Sequence, residues 1–418
     1  MKIAVVGGGS TYTPELVDGF ARLARELGID ELALVDPAAD RLGLIGPLAE
    51  RIFARHGNPV KISWTADLDE GASDASVVVI QLRVGGQQAR ISDETIPLAC
   101  GCIGQETTGA GGLAKALRTV PVVRELAQRA AKVAAPGAWI VDFTNPVGIV
   151  TRALLDDGHR AVGLCNVAIH LARRLAVMLD VEPDRVVLDH IGLNHLTWER
   201  AVEVDGVDRL PELLDQRLDD LAAEVELPPA VLALTGTVPS YYLRYFYAHD
   251  EVLAQQRAGD IRGRKVADIE TELLKLYADP ALDTKPELLT QRGGAFYAEA
   301  AVGLIAALHG QEGLHAANVR NGNTLPFLPP EAVIETTSTV GTDGAVPRPA
   351  APLPAVARGL VAHVAAYEEL ALEAAIHGGR DRVRAALLAH PLIGQWDRAE
   401  RLTDELLAAN AEHLPWAR

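Results

Sequence analysis

The sequence predicts an α/β protein with an N-terminal doubly wound parallel sheet and a second, mostly helical α+β domain. Short apolar runs alternate with helical patterns through the first half, which is typical of buried parallel strands joined by helices. A cluster of glycines directly follows the first run, as in Rossmann-type folds. After about residue 190 the pattern becomes mainly helical. We therefore expect a Rossmann-type domain at residues 1–190 and an α+β domain at residues 191–418.

Five apolar runs in the first half are predicted to be buried strands, because each is short, rich in β-branched residues and bounded by turn residues. They are residues 2–6, 31–35, 77–82, 139–143 and 161–165. Helical patterns lie between them. One begins at about Pro14, with Thr13 as the expected N-cap, and another covers residues 122–133.

The second half is predicted to be mostly helical, with one strand-like segment at residues 197–204. Its helical patterns cover residues 211–225, 268–277, 295–308, 356–375 and 397–414. The segment 346–354 is rich in alanine and proline, which favours a surface loop.

Composition limits the classes of partner and the compartment. The formal charge is −17, and such an acidic surface repels nucleic-acid backbones and anionic lipids. The three cysteines are too few, and odd in number, for a disulfide framework. The apolar run at the N-terminus is too short for a signal peptide, and no run reaches the roughly 18 residues of a membrane span. We therefore expect a cytoplasmic protein that binds neither nucleic acid nor membrane.

The first glycine cluster and the end of the second strand predict a dinucleotide site. Three glycines stand between the first strand and the next helix, where backbone N–H groups can approach a pyrophosphate. The match is imperfect, since Tyr12 or Thr13 stands where the third glycine of the fingerprint is expected. Asp36 ends the second strand, where a carboxylate accepts hydrogen bonds from the adenosine ribose and repels a 2′-phosphate. This favours NAD over NADP.

Polar residues follow three further elements and are candidates for chemistry. The loop 101–112 is dense in glycine and threonine and carries Glu106. Asn145 follows the fourth strand, at the sheet edge where ligands bind in open α/β folds. Cys165 follows the fifth strand, and with His195 it offers the thiolate and imidazole that divalent transition metals accept. Their spacing is not that of a zinc finger, so a buried cysteine and a core histidine remain the alternative.

Residues 240–247 hold four of the eight tyrosines, and four arginines are candidates for binding an anion. An aromatic cluster usually packs, but a tyrosine can act as a base where a metal or an arginine lowers its pKa. The arginines are Arg83, Arg90, Arg262 and Arg264.

Six ordered motifs together resemble glycoside hydrolase family 4, the NAD- and metal-dependent glycosidases. They are GGGS at 7–10 with YTPEL at 12–16, GQETTG at 104–109, FTNP at 143–146, GLCNV at 163–167, GLNHL at 192–196 and YLRY at 242–245. The resemblance covers essentially the whole chain. Within the family, Cys165-Asn166-Val167 is similar to the 6-phospho-β-glucosidase branch. Ala168 stands where the family usually has proline, and Val84 stands where proline also occurs in the family.

The resemblance implies an unusual glycoside hydrolysis. NAD⁺ takes a hydride from C3 of the sugar, and a divalent metal, usually Mn²⁺, polarises the C2 and C3 oxygens. A tyrosine removes the C2 proton, the aglycone is eliminated, water adds, and the hydride returns. The substrate would be a phosphorylated β-glucoside and the protein a homodimer or homotetramer. Co²⁺ and Ni²⁺ also suit the same ligands.

Residue by residue, the resemblance implies a role for each group of candidates. Cys165 and His195 would bind the metal and Tyr242 would be the base, with Tyr241 as the alternative. NAD would contact Gly7, Gly8, Gly9, Ser10 and Asp36. The substrate would contact Asn145 and Asn166 through its hydroxyls, Arg90 and with it Arg262 through its 6-phosphate, and Glu106 near the sugar or the nicotinamide.

Two other classes remain open. An NAD-dependent dehydrogenase acting on a 2-hydroxy acid shares the nucleotide fold, but it releases NADH and needs no Cys165–His195 pair. A non-catalytic NAD-binding regulator would bind NAD without any dependence on metal, and Tyr242→Phe would not impair it.

Overall fold

The computed structural model describes residues 1–293 and 296–417. Within these residues, the strands join in one mixed sheet. The strands are β1 (Lys2–Val6), β2 (Glu31–Val35), β3 (Lys61–Thr65), β4 (Val77–Ile80), β5 (Trp139–Asp142), β6 (Ala161–Gly163), β7 (Val186–Leu193), β8 (Leu196–Val204), β9 (Val207–Asp208), β10 (Val238–Pro239), β11 (Gly313–Arg320), β12 (Val333–Gly341) and β13 (Gly344–Pro347).

The α-helices surround this sheet. Those of the first half are α1 (Thr13–Leu27), α2 (Ala39–Arg55), α3 (Leu68–Ala72), α4 (Gly86–Ala99), α5 (Gly109–Val133), α6 (Val147–Asp156) and α7 (Val167–Leu179). Those that follow are α8 (Leu210–Gln216), α9 (Leu218–Val225), α10 (Pro229–Thr235), α11 (Arg244–Tyr247), α12 (His249–Ala258), α13 (Arg262–Tyr277), α14 (Leu289–Arg292), α15 (Tyr297–Leu308), α16 (Ala355–His377), α17 (Arg380–Ala389) and α18 (Trp396–Ala409).

The first six strands form a parallel sheet in the order β3-β2-β1-β4-β5-β6. This is the Rossmann order, in which the chain reverses direction at β1 and opens a ligand crevice beyond the strand ends. The predicted Rossmann-type sheet is therefore confirmed. Strand β3 was not predicted, because its sequence Lys-Ile-Ser-Trp-Thr is only half apolar, as suits a partly exposed edge.

Antiparallel strands extend this sheet across residue 190. Asn318 of β11 pairs with Gly163 of β6, and β12, β7, β8 and β10 follow in order. Strands β7 and β8 form a hairpin whose turn contains Asn194 and His195. Residues from Val186 onward therefore contribute helices and also the antiparallel part of the sheet, which agrees with an α+β composition, and β7 itself crosses residue 190.

Several predicted helix and loop boundaries differ from those in the structure. The helix expected over 122–133 begins at Gly109, and Thr13 is the first residue of α1 rather than its cap, a position taken by Tyr12. The helix expected over 211–225 is divided between α8 and α9. Part of the loop expected at 346–354 belongs to β13. The predicted helix start at Ala295 lies outside the described residues.

The helices pack through apolar faces. In α1 the buried face contains Leu16, Val17 and Phe20, and it packs on α15, which is apolar along most of its length. Gly19 allows this contact, because a Cβ there would come within 2.8 Å of the Cβ of Ala298. Across the described ranges, no helix combines the length and apolar character needed to cross a bilayer.

Candidate active site

The glycine cluster forms a tight turn between β1 and α1. The N–H groups of Gly7 and Gly8 donate to the carbonyl of Val35 at 2.8 and 2.9 Å, and that of Gly9 donates to Asp36 at 3.0 Å. Gly7 has φ +92°, and a Cβ at Gly9 would lie 2.7 Å from Cγ of Asp36. The glycines thus bring β1 and β2 together and orient Asp36. Their own N–H groups already donate hydrogen bonds to protein atoms.

A cleft of about 520 Å³ lies beyond the carboxyl ends of β1 and β2. It is lined by Gly7, Gly9, Ser10 and Asp36, and at its inner end by Arg83. Its position at the reversal of strand order is where nucleotides bind in open α/β sheets. The described residues therefore gather the predicted NAD contacts of Gly7, Gly9, Ser10 and Asp36 around one cleft.

Three cations surround Glu106 at the inner end of the cleft. Lys115 Nζ lies 2.8 Å and Arg90 Nε 3.2 Å from its carboxylate, and Arg83 forms a third ion pair. Burial alone would raise the pKa of Glu106, but these cations outweigh it and hold the pKa well below its ordinary value. Burial and Arg83 lower the pKa of Lys115 to about 8. Arg90 also pairs with Glu94 at 2.8 Å, so the three cations face two carboxylates and one positive charge is left, which suits an anionic substrate.

Arg262 does not join this cluster. Its guanidinium donates to the carbonyls of Gln291 at 2.8 Å and Arg292 at 3.3 Å, on the exposed side of α13. The neighbouring Gly263 N–H donates to Glu94 at 2.7 Å, which also binds Arg90. Helix α13 therefore supports Arg90 through its backbone, and the side chain of Arg262 is used elsewhere.

His195 lies in the turn between β7 and β8, next to the GQETTG loop. It adopts φ +64°, a left-handed conformation that is uncommon outside glycine. Its Nδ1 lies 3.0 Å from Oγ1 of Thr107, and its ring stacks on Tyr242 with centroids 3.7 Å apart and planes 5° apart. Burial lowers the pKa of His195 to about 4, so the imidazole is neutral at pH 7 and able to bind a metal.

Cys165 lies at the end of β6 with its thiol buried. Burial raises the pKa of this thiol, and the Glu335 carboxylate raises it further, whereas the backbone N–H groups of Val167 and Asn166 oppose the rise. The thiol is close enough to add to the raised pKa of Tyr242. Cys165, His195 and Tyr242 therefore lie together, with Asn166 next to Cys165 in the chain.

The donor set fits a divalent transition metal with open positions. A thiol sulfur and a neutral imidazole are suitable ligands for such a metal. Among the part of the chain that the structure describes, no group of three or more histidine, cysteine or carboxylate side chains is arranged to hold a metal ion. A metal on Cys165 and His195 would therefore have coordination positions left for substrate oxygens.

The two neighbouring tyrosines differ in their surroundings. Tyr242 stacks on His195, and burial raises its pKa well above the ordinary value. Tyr241 lies on the other side, where the guanidinium of Arg244 covers its ring at 4.2 Å. Tyr242 is the one that lies beside His195 and Cys165, the candidate metal ligands. Its hydroxyl would lose a proton only beside a cation, because a buried phenolate needs a compensating charge.

Asn145 follows β5 on the same edge of the sheet. Its Oδ1 is buried and has no hydrogen-bond partner among residues 1–293 and 296–417. A buried amide oxygen without a partner is costly unless a ligand supplies one. Asn145 is thus well suited to accept a hydrogen bond from a substrate hydroxyl.

A buried charge network that the sequence did not reveal lies behind the turn that contains His195. His190 contacts Glu199 at 2.7 Å and Glu335 at 2.9 Å, one through each ring nitrogen. Glu335 also accepts from Asn194 at 2.6 Å and Asn318 at 2.9 Å. Burial alone would lower the pKa of His190, but the two carboxylates raise it to about 10. No local pattern in the sequence indicates this network, because Glu335 lies in the largely polar sequence of β12.

The two departures from the family pattern line cavities beside the site. Ala168 is buried in the first turn of α7 and lines a cavity of about 490 Å³ that Cys165 also borders. Val84 lines the nucleotide cleft. Neither position carries a reacting group, so both affect the shape of the cavities alone.

Comparison with known protein families gives matches over nearly the whole chain. Residues 2–181 match the family model described as Family 4 glycosyl hydrolase, and residues 190–393 match that of the Family 4 glycosyl hydrolase C-terminal domain. A probable 6-phospho-beta-glucosidase of Bacillus subtilis (strain 168) is 38% identical over 99% of this chain and 97% of its own. The 6-phospho-beta-glucosidase of Escherichia coli (strain K12) is 35% identical over 99% and 96%.

Solved structures give the same result. The 6-phospho-beta glucosidase from Thermotoga maritima, determined with manganese, NAD⁺ and glucose-6-phosphate, has a TM-score of 0.92 at 33% identity and covers 99% of each chain. Malate dehydrogenase from Plasmodium falciparum, in complex with NADH, has a TM-score of 0.54 at 16% identity, covering 90% of this chain and 99% of its own. This second likeness shows a shared fold alone.

Proposed function

The chain belongs to the family 4 glycosyl hydrolases, and on that premise we propose that it is a 6-phospho-β-glucosidase that uses NAD and a divalent metal, with Mn²⁺ as the first candidate. One observation carries the proposal most directly. The ring of Tyr242 stacks on His195 beside Cys165, so the proposed base and the proposed metal ligands form one group. A plain dehydrogenase has no need of this group.

We propose that the nucleotide cleft binds NAD and that the cluster beyond it binds the sugar phosphate. Bound NAD⁺ would supply a hydride acceptor for C3, and the metal on Cys165 and His195 would supply a Lewis acid. Ser10 and Asp36 line the nucleotide cleft. Gly7 and Gly8 support that cleft through the β1 turn, because their N–H groups donate to Val35.

The side chains of this protein have distinct tasks in the proposal. Tyr242 takes the proton from C2 of the sugar, and Asn145 and Asn166 bind sugar hydroxyls. Arg90 binds the 6-phosphate, supported by Arg83 and Lys115. Glu106 holds these cations in place. Arg262 is left out, because its guanidinium binds backbone carbonyls.

The test is release of p-nitrophenol from its β-glucoside 6-phosphate, with NAD⁺ and Mn²⁺ each omitted in turn. We expect activity to depend on both, without net accumulation of NADH, because the hydride returns in each turnover. The matched substrate without phosphate should react much more slowly.

Activity that survives both omissions would contradict the proposal. NADH accumulation with a 2-hydroxy acid would favour a dehydrogenase, and NAD⁺ binding without any turnover would favour a regulator. The cytoplasmic location and the homodimeric or homotetrameric state stay predictions.

A further inference from the structure

We propose that Gln105 and Thr107 are positioning residues that fix the tautomer of His195, with its hydrogen on Nδ1 and its lone pair on Nε2. The proposal rests on the function proposed above, in which His195 binds the metal. It adds two residues outside the ligand pair that prepare the imidazole for that task. Three contacts in the GQETTG loop lead to it.

The orientation of the Gln105 side-chain amide is fixed by the backbone. Its Oε1 accepts hydrogen bonds from the N–H groups of Thr107 and of Thr108, the latter at 2.9 Å. A backbone N–H only donates, so the atom that receives two of them is the carbonyl oxygen. Thr108 is the N-cap residue of α5, so Gln105 also satisfies the backbone N–H at the start of this helix.

The Thr107 hydroxyl can then only accept a hydrogen bond from His195. Its Oγ1 lies 2.8 Å from Oε1 of Gln105, which can only accept, so the hydroxyl hydrogen points to Gln105. Oγ1 also lies 3.0 Å from Nδ1 of His195. Since the hydroxyl has donated its hydrogen, it accepts here, and Nδ1 must carry the proton. In a neutral imidazole Nε2 is then the unprotonated nitrogen.

The ring has little freedom to escape this arrangement. One face of the imidazole stacks on Tyr242, and the residue is 7% exposed. Its backbone adopts the left-handed conformation of the β7–β8 turn, next to Asn194, whose amide binds Glu335. The Nε2 lone pair is thus available for a metal before any metal binds. Hydrogen-bond partners that orient a histidine ligand commonly contribute 10–100-fold to metal affinity.

The tautomer can be observed directly in the metal-free protein. We would record ¹⁵N spectra of histidine-labelled protein at neutral pH and assign His195 by its loss in His195→Gln. The wild type should show a protonated Nδ1 and an unprotonated Nε2. In Thr107→Val, an isosteric change without an acceptor, this preference should be lost, whereas Thr107→Ser and Thr108→Val should keep it. A protonated Nε2 in the wild type would overturn the proposal.

Mn²⁺ binding gives a second readout that needs no turnover. By calorimetry or electron paramagnetic resonance, Thr107→Val should bind Mn²⁺ about 10–100-fold more weakly than the wild type, while Thr107→Ser and Thr108→Val change affinity less than about threefold. NAD⁺ affinity should stay unchanged in all variants, which verifies folding. Equal Mn²⁺ affinity in Thr107→Val and the wild type would overturn the inference. A wild type that binds no Mn²⁺ would instead contradict the proposed function, and the ¹⁵N spectra would still decide the tautomer.

Discussion

Tyr242 and Tyr241 are adjacent in sequence, but their environments suit opposite tasks. The ring of Tyr241 is covered by Arg244 at 4.2 Å and packs edge-on against Tyr242 at 5.5 Å. Tyr242 is stacked on His195 and lies beside the Cys165 thiol. A base that acts on the carbon next to metal-bound oxygens must lie beside the metal ligands. Tyr242 meets this requirement through its own contacts.

We expect Tyr242→Phe to lower kcat about 10²–10⁴-fold, the usual contribution of a positioned general base. The ring still stacks on His195 in this variant, so NAD⁺ and Mn²⁺ should bind as in the wild type. Tyr241→Phe is the matched control and should keep kcat within about threefold. The measurement is turnover of the phosphorylated p-nitrophenyl glucoside, together with solvent deuterium exchange at C2. The reverse ranking of the two variants would identify Tyr241 as the base.

For single residues, the sequence indicated which side chains belong to the candidate site better than it indicated which side chains they contact. Cys165, Asn166, His195 and Tyr242 could be selected because each follows a strand or lies in an ordered motif. The partners of Glu106 could not be predicted, since Lys115 reaches it from inside α5 and Arg83 and Arg90 come from another segment. Arg262 was selected by charge alone, and charge does not show whether an arginine binds a ligand or a backbone carbonyl.

Strands β7, β8 and β12 are joined by the buried contacts of His190 with Glu199 and Glu335. This network lies directly behind the turn that contains His195, because Asn194 connects the turn to Glu335 at 2.6 Å. One cation and two carboxylates leave a net negative charge in the interior. Such a charge is costly alone, but it favours a divalent cation bound nearby. The three strands therefore supply a buried, negatively charged support for the turn that contains His195, the proposed metal ligand.

We expect Glu335→Gln to destabilise the protein by about 3–5 kcal/mol, because it removes one partner of a buried charged histidine. The pH dependence should also change. The pKa of His190 is raised from 6.5 to about 10, so its contribution to stability is complete below pH 6.5 and is lost as the pH rises towards 10. Without one of the two carboxylates, this loss should occur at lower pH.

Urea denaturation of Glu335→Gln at several pH values between about 6 and 9.5 measures both the loss of stability and its pH dependence. Glu203→Gln is the control, since Glu203 lies on β8 but forms only a partly exposed ion pair with Arg348. It should cost less than about 1 kcal/mol. An unchanged stability in Glu335→Gln, or a loss that moves to higher pH, would show that the network does not hold a charged histidine.

The elements that the sequence predicted best are those buried on both faces. Strands β1, β4 and β5 read as continuous apolar runs, because helices cover both sides of a parallel sheet. Strands β11 and β12 were not predicted. β12 has the sequence Val-Ile-Glu-Thr-Thr-Ser-Thr-Val-Gly, in which polar residues are buried through contacts with distant strands. Such contacts join residues that are distant in sequence, so they produce no periodic pattern of apolar residues within the strand itself.

The whole molecule is organised around one sheet that crosses the predicted domain boundary. Among the described residues, β11 pairs with β6 on one side and with β12 on the other. Arg118 of α5 also binds Asn410 at 2.6 Å, which fixes the segment after α18 to the first half. Leu34 of β2 and Leu221 of α9 belong to one continuous hydrophobic core. The division at residue 190 stays a prediction, and thermal unfolding is its test.

From this continuity we expect a single cooperative transition in scanning calorimetry. Leu34→Ala and Leu221→Ala each create a cavity in one half, at a cost of about 2–5 kcal/mol. With an unfolding entropy of about 0.9 kcal/mol/K for a chain of this length, each should lower the same Tm by roughly 2–6 °C. NAD⁺ should raise that Tm in both variants, because it binds the folded chain only. Two separate transitions, each moved by one variant only, would show that residues 1–190 and 191–418 unfold independently, and that the shared sheet does not couple them.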